Sequence, residues 1–290
     1  MRKLSLIVFL LLMALAPLNA KREYALREGA RGAKGRVTLQ PYLADSAKNT
    51  GIAIIVCPGG SYSWHDMKTE GTGVCEWLNG MGINAYLLKY RVATVAAYIT
   101  GFRVLGLGNK YPDMLEDVED ALQYVYSRSA ADRLDTTMIG VMGFSAGGHL
   151  AMSSYVYNRT CHKPKFVCSI YPVVSMSSKQ YTHTRSRRGA LGVWGQWNKQ
   201  MRDSLSLEKH ITKDCPPVLL VNCKDDPIVK YQNSELLDSA LTAQGVEHRY
   251  IQYNTGGHGF GASEEKGTEE SRQWKKEFET WISNLLQEKK

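Results

Sequence analysis

Three residues stand where they could carry out acyl transfer: Ser145 in GVMGFSAGGHLA (residues 140–151), Asp226 in CKDDPIV and His258 in NTGGHGFG. A serine at its ordinary pKa is a weak nucleophile. It attacks a carbonyl carbon only when a histidine takes its proton, and a carboxylate must hold that histidine's tautomer and stabilise the imidazolium. Around Ser145 the glycines fit G-x-S-x-G, a pattern in which a strand ends on the nucleophile in a sharp turn and a helix leaves it. Gly143 and Gly147 remove the β-carbons that would collide there. The same letters also occur as an ordinary strand-to-helix turn, so the pattern counts only with its flanks. Here the apolar run IGVMGF leads in and the helix-compatible AGGHLAMSSYVY leads out.

Where that strand-turn-helix pattern carries a nucleophile, the order along the chain is serine, acid, histidine. Asp225 and Asp226 follow the run PVLLVN, and His258 follows the last apolar run between glycines. Asp226 is favoured over Asp225 because it directly precedes Pro227, the start of a turn into the next helix; Asp225 is expected at the surface or as a cap. The other histidines fit less well. His149, one helical turn past Ser145, is expected to pack beneath the turn; His162, His183, His210 and His248 have no strand-end position, and His65 precedes the acid. Charge developing on a carbonyl oxygen also needs fixed donors, and backbone amides serve best. Ala146, next to the nucleophile, offers one, and the loop CPGGSYSW after IAIIVC offers others unless it is a plain tight turn.

The elements that must hold these residues are legible as alternating runs. Apolar, β-branched and aromatic stretches recur at 37–43, 52–57, 83–90, 138–144, 166–173, 217–222 and 248–253, several without a polar break, as expected for strands buried on both faces. Between them, PDMLEDVEDALQYVYSR sets Met114, Leu115, Val118, Ala121, Leu122 and Val125 on one helical stripe, and Trp274, Phe278, Trp281, Ile282 and Leu285 repeat at helical spacing as core residues. Strand and helix by turns predict an α/β fold with a mostly parallel central sheet. Residues 174–216 lack periodicity and read as an irregular excursion over one end of the sheet; residues 92–111 read as a shorter one.

Composition narrows the class. The first 20 residues pair a basic start with an apolar core, the pattern of a secretory leader cut near Ala20; an uncleaved membrane anchor is the alternative, disfavoured because the run is shorter than the roughly 20 residues that cross a bilayer. Residues 21–290 then form one domain, secreted or periplasmic and not bound to the membrane. The net charge of +8 loses Arg2 and Lys3 with the leader, leaving +6 on a mixed surface without a nucleic-acid footprint. Six cysteines permit disulfides without demanding them. If the run between Cys215 and Cys223 is a strand, it holds those two roughly 25 Å apart, well beyond bridging distance.

With IIVCPGGSYS, EGTGVCEWLNGMGINAYLLKYR, GVMGFSAGGHLA, CKDDPIV and GGHGFG side by side, the chain resembles the exported carbohydrate esterases of the α/β-hydrolase family from about residue 36 onward. The acetyl xylan esterase-like and feruloyl esterase-like branch is the nearest. The resemblance implies Ser145 as nucleophile, His258 as general base and then acid, Asp226 as orienting carboxylate, and the amides of Gly60, Ser61 and Ala146 as the oxyanion hole. It implies a serine esterase that removes acyl groups, chiefly acetyl, from small-molecule or oligosaccharide esters, with no metal or organic cofactor. The chain departs from the family pattern at Ser61, where a third glycine is usual, and at Lys230, where a proline is usual. Tyr62, Trp194 and Trp197 are candidate contacts for sugar rings, although aromatics in a long loop also serve as anchors. Arg185, Arg187 and Arg188 read as a solvated basic stretch that could meet a uronate. A feruloyl-type esterase, a peptidase of the same fold and a non-catalytic glycan-binding relative are the competing readings. The peptidase reading expects a large gating domain that this sequence does not show, and the glycan-binding reading does not need all three triad positions intact. Oligomeric state is not legible.

Overall fold

A computed structural model describes residues 24–27, 37–93 and 108–288. The leader expected over residues 1–20 and most of the excursion expected over 92–111 lie outside them. No described helix is long and apolar enough to cross a membrane.

The strands are β1 (Tyr24–Arg27), β2 (Val37–Tyr42), β3 (Ala53–Cys57), β4 (Asn84–Lys89), β5 (Ile139–Phe144), β6 (Val167–Ile170), β7 (Val218–Cys223) and β8 (His248–Tyr253). They form one eight-stranded sheet in the order β1-β2-β4-β3-β5-β6-β7-β8. β1 and β2 run antiparallel at one edge, and every pairing from β4 through β8 is parallel. β3, β5 and β7 are buried along their whole length, which is why their sequences read as unbroken apolar runs.

Side chains alternate between two cores, one on each face. Ala53, Ile55 and Cys57 of β3 join the face covered by α2 (Asp113–Asp132), α3 (Ala146–Val156) and α6 (Gln232–Ala243). Ile54 and Val56 join the opposite face, where α1 (Gly73–Gly80) and α7 (Trp274–Glu288) contribute Val74, Leu78, Trp274, Phe278 and Trp281. The aromatics of the C-terminal helix are therefore core residues, with Trp274 and Phe278 fully buried.

Three elements differ from the sequence expectation. β1 adds an edge strand that the apolar runs did not announce. β6 stops at Ile170, because Tyr171 adopts φ 37°, a left-handed conformation that ends the extended run. The stretch 174–216 is substantially helical, with α4 (Thr184–Gly195), broken by a non-helical Gly192, and α5 (Lys199–Ser204). The buried side of α4 is Leu191 together with Ser186, Gly189 and Ala190, three small residues where an apolar stripe would have large ones. They are small because α4 packs on the loop after β3: a β-carbon at Gly189 would lie 2.3 Å from the Ser61 carbonyl oxygen.

His149 sits under the turn, as its spacing suggested. It is buried on α3, with Nδ1 2.7 Å from the Tyr62 hydroxyl and Nε2 2.9 Å from the Leu205 carbonyl. Burial lowers its pKa from 6.5 to about 4. Between those two values the unfolded chain binds a proton that the folded chain refuses, so this stability is complete above pH 6.5 and is lost as pH falls toward 4. The interval corresponds to about 3 kcal/mol. Urea unfolding at pH 7 and pH 4.5 should therefore show a smaller acid-induced loss in His149→Gln than in the parent; equal losses would remove His149 from the acid response.

Candidate active site

The strand order reverses between β3 and β5. β4 follows β3 in the chain but lies on one side of it, while β5 lies on the other. Open α/β sheets bind ligands at such a switch point, beyond the carboxyl ends of the strands. Cys57 pairs with Gly143 in register, so the loops leaving β3 and β5 emerge side by side. One is Pro58-Gly59-Gly60-Ser61 and the other begins at Ser145.

The turn at Ser145 is tight. Ser145 adopts φ 55° and ψ −118°, its amide donates to the Ile170 carbonyl at 2.9 Å, and α3 starts at the next residue. A β-carbon at Gly143 would lie 1.9 Å from the Gly147 carbonyl oxygen, and one at Gly147 would lie 2.0 Å from that of Cys57. These two positions admit only glycine, because real β-carbons do not approach other heavy atoms that closely.

Residues distant in sequence meet at this turn. His258 Nε2 lies 2.9 Å from Ser145 Oγ, and His258 Nδ1 lies 2.6 Å from Asp226 Oδ2. The Asp226 side chain is 1% exposed. Its other oxygen accepts the amides of Ile228 and Val229 at 2.8 and 2.9 Å, so the carboxylate cannot rotate away. With Nδ1–H donated to Asp226, Nε2 is the nitrogen left to accept the serine proton. Asp225 works elsewhere, since its two oxygens accept the amides of Gly256 and Gly257 and so tether the loop that carries His258.

Gly60 and Ser61 border the cleft above Ser145, both with positive φ. The amides of Gly60, Ser61 and Ala146 have no acceptor among the described residues. The cleft encloses about 600 Å³ including its mouth, and Trp64, Glu70, His183, Arg185, Ile228, His258 and Gly259 form its walls. Tyr62 does not face it: the ring is 1% exposed and its hydroxyl is engaged by His149. Trp194 and Trp197 are 79% and 66% exposed and lie outside the cleft walls.

Chain order did not single out several of the wall residues. His183 and Arg185 reach the cleft because α4 packs on the loop after β3. His183 has its pKa lowered to about 4, first by burial and then by the nearby His258 and Arg185, so it faces the cleft uncharged at neutral pH. Glu70 is buried, with Oε2 accepting the Gly59 amide at 2.7 Å and Oε1 accepting the Tyr171 hydroxyl at 2.9 Å. An acid just ahead of a helix reads as a surface charge favoured by the helix dipole, so nothing in its spacing marks it.

The described cysteines are free thiols, with Cys161 exposed and Cys57, Cys75, Cys168, Cys215 and Cys223 buried. Among the described residues, no three His, Cys, Asp or Glu side chains converge as metal ligands do.

Comparison with known proteins places this geometry in context. The family model described as BD-FAE matches residues 39–241. An acetylxylan esterase of Xylanibacter ruminicola is 30% identical over 217 residues, covering 73% of this chain and 42% of that protein. Endo-1,4-beta-xylanase B of Butyrivibrio fibrisolvens is 26% identical over 217 residues, covering 71% of this chain and 32% of that protein. The chain thus spans less than half the length of these curated relatives. Among solved structures, an acetyl ester-xyloside bifunctional hydrolase from Caldicellulosiruptor lactoaceticus superposes with a TM-score of 0.78 at 28% identity, covering 91% of this chain and 96% of that one. A carboxylesterase from Lactobacillus plantarum shares the fold, with a TM-score of 0.72 at 16% identity over 91% of this chain and 97% of that one.

Proposed function

Because the chain belongs to the BD-FAE family, we propose that it is a serine esterase that removes acyl groups, acetyl foremost, from carbohydrate esters derived from plant polysaccharides. The observation that carries this reading is the hydrogen-bonded line from Asp226 through His258 to Ser145 at the floor of an open cleft. The named activities of the relatives from Xylanibacter and Caldicellulosiruptor point the same way. A leader over residues 1–20 would deliver the enzyme outside the cytoplasm, where such substrates occur.

The reaction runs in two steps. Ser145 Oγ attacks the ester carbonyl carbon while His258 Nε2 takes the hydroxyl proton, and the amides of Gly60, Ser61 and Ala146 receive the oxyanion. The tetrahedral intermediate collapses as His258 returns that proton to the departing sugar oxygen, leaving an acyl-serine. Water then enters and adds to the acyl carbon as His258 takes one of its protons; the second tetrahedral intermediate collapses as His258 returns that proton to Ser145 Oγ, releasing the carboxylic acid and restoring Ser145. Asp226 keeps Nδ1 protonated throughout.

A panel of acetylated xylo-oligosaccharides, feruloyl esters and aminoacyl anilides tests the assignment. The expected result is acetate release from the first, with little turnover of the others. Preference for feruloyl esters would move the protein to the feruloyl-type reading, preference for anilides would make it a peptidase, and no reaction with a fluorophosphonate would remove the nucleophile altogether. Trp194 and Trp197 stand free of the cleft, so only a substrate longer than the cleft could reach them. Trp194→Ala and Trp197→Ala should leave p-nitrophenyl acetate hydrolysis unchanged and raise KM for acetylated xylo-oligosaccharides about tenfold, the order of one lost stacking contact. An unchanged oligosaccharide KM in the double variant would make both side chains surface residues without a substrate role.

A further inference from the structure

Glu70 stands apart from the triad, yet it bonds one loop on which the proposed reaction depends and, through Tyr171, reaches the other. It lies in Met67–Thr72, a single wide helical turn ahead of α1, and that turn directs Glu70 and Gly71 inward. Such turns recur where a helix is distorted to aim a side chain. One carboxylate oxygen takes the amide of Gly59, the residue before Gly60 and Ser61. The space is reserved for it, since a β-carbon at Gly59 would lie 2.5 Å from Glu70 Oε2. The second oxygen takes the hydroxyl proton of Tyr171.

Tyr171 extends the connection to the histidine. Its hydroxyl oxygen accepts the amide of Gly261 at 3.0 Å, and its ring centroid lies 4.6 Å from that of His258 and 4.6 Å from that of Phe260. Gly261, Phe260 and His258 belong to one loop, so Tyr171 both braces the imidazole and fixes the backbone behind it. The left-handed backbone of Tyr171 itself turns the ring to this place at the end of β6.

A carboxylate this deeply buried is costly unless its oxygens are satisfied by strong donors, and an isolated one would take up a proton instead. Glu70 has a donor on each oxygen; burial, with Asp66 nearby, still holds its pKa above the usual carboxylate range, while His258, the Tyr171 hydroxyl and the Gly59 amide work to favour the charged form. The pair also gives acceptors to two buried backbone amides, those of Gly59 and Gly261, which an apolar pair of the same size would leave unsatisfied.

We propose that Glu70 is a positioning residue that holds the oxyanion loop through the Gly59 amide and the His258 loop through Tyr171, setting the distance between the donors and the base. The inference rests on the esterase reading and deepens it. Donors and base stand on loops that are not otherwise continuous, and a misplacement of about 1 Å between such groups costs roughly 100-fold in rate. A carboxylate suits this position because it accepts on both sides at once, whereas an amide must donate on one.

The test uses Glu70→Gln and Tyr171→Phe, assayed with p-nitrophenyl acetate, with thermal midpoints and near-ultraviolet circular dichroism as checks of folding. Glu70→Gln should lower kcat about 100-fold with KM within about twofold, because the loops shift while the cleft that admits the ester remains. Tyr171→Phe keeps the ring and the Gly59 contact but cuts the link, and should lower kcat about tenfold, again at nearly constant KM. In the double variant the two losses should fall short of multiplying, as expected for members of one network. Wild-type kcat in both folded variants overturns the proposal, as does loss confined to KM or fully multiplying losses. If Glu70→Gln does not fold, Tyr171→Phe decides alone; failure of both to fold assigns the network to stability and also overturns it. Failure of the esterase reading looks different, since the parent itself would then not hydrolyse the ester.

Discussion

Replacement of Ser145 by alanine should reduce kcat for p-nitrophenyl acetate by about a million-fold while leaving a folded protein. The two halves of this expectation have separate grounds. Ser145 Oγ is the atom placed to attack, 2.9 Å from the base that would take its proton, and alanine leaves no nucleophile at the end of β5. The fold should persist because the turn is held by the backbone bond from residue 145 to Ile170 and by the glycines at 143 and 147, none of which uses the hydroxyl. His258 retains its bond to Asp226, so the loop that carries it is not released. Steady-state assays paired with circular dichroism check both halves, and a folded Ser145→Ala protein with appreciable turnover would remove this serine from the mechanism.

Asp226→Asn should lower kcat by about ten-thousand-fold, second only to loss of the nucleophile. The direction of the amide is dictated by its neighbours. Oδ1 of residue 226 accepts the amides of Ile228 and Val229, so the asparagine oxygen must face them and its NH2 group must face His258. A donor opposite Nδ1 forces the proton onto Nε2, and an Nε2–H cannot accept the proton of Ser145. Shape is conserved and the tautomer is inverted. The variant should therefore bind ester with little change in KM while losing kcat, and stability measured by urea unfolding should fall far less than the rate does. Activity within tenfold of the parent would show that His258 does not depend on this carboxylate.

The strands at the centre of the sheet were legible because β3, β5 and β7 are covered on both faces, and full burial writes an unbroken apolar run. The C-terminal helix was legible for a related reason, since its one-sided burial produces a stripe of large side chains at helical spacing. α4 was not, because its buried side contacts the loop after β3, and close backbone approach selects small residues that carry no hydrophobic period. β6 was overextended for want of any signal that Tyr171 would turn left-handed.

The candidate site divides in the same way. Local chemistry marks Ser145, Asp226 and His258 in the sequence, because a tight turn needs its glycines, an acid before proline starts a turn, and a glycine-flanked histidine follows the last strand. The nearness of their side chains is a property of the sheet, whose order reversal sets the loops of β3 and β5 side by side. Tyr62 shows the limit of loop position as a guide, since an aromatic in the loop over the nucleophile turned inward to His149. Glu70 shows it from the other side. Its partners are 11 and 101 positions away, and only burial against both at once makes its carboxyl group something other than a surface acid. Side-chain type and local spacing are written into the chain because they depend on near neighbours; which distant groups share one low-dielectric space depends on how the layers close, and that information has no local trace.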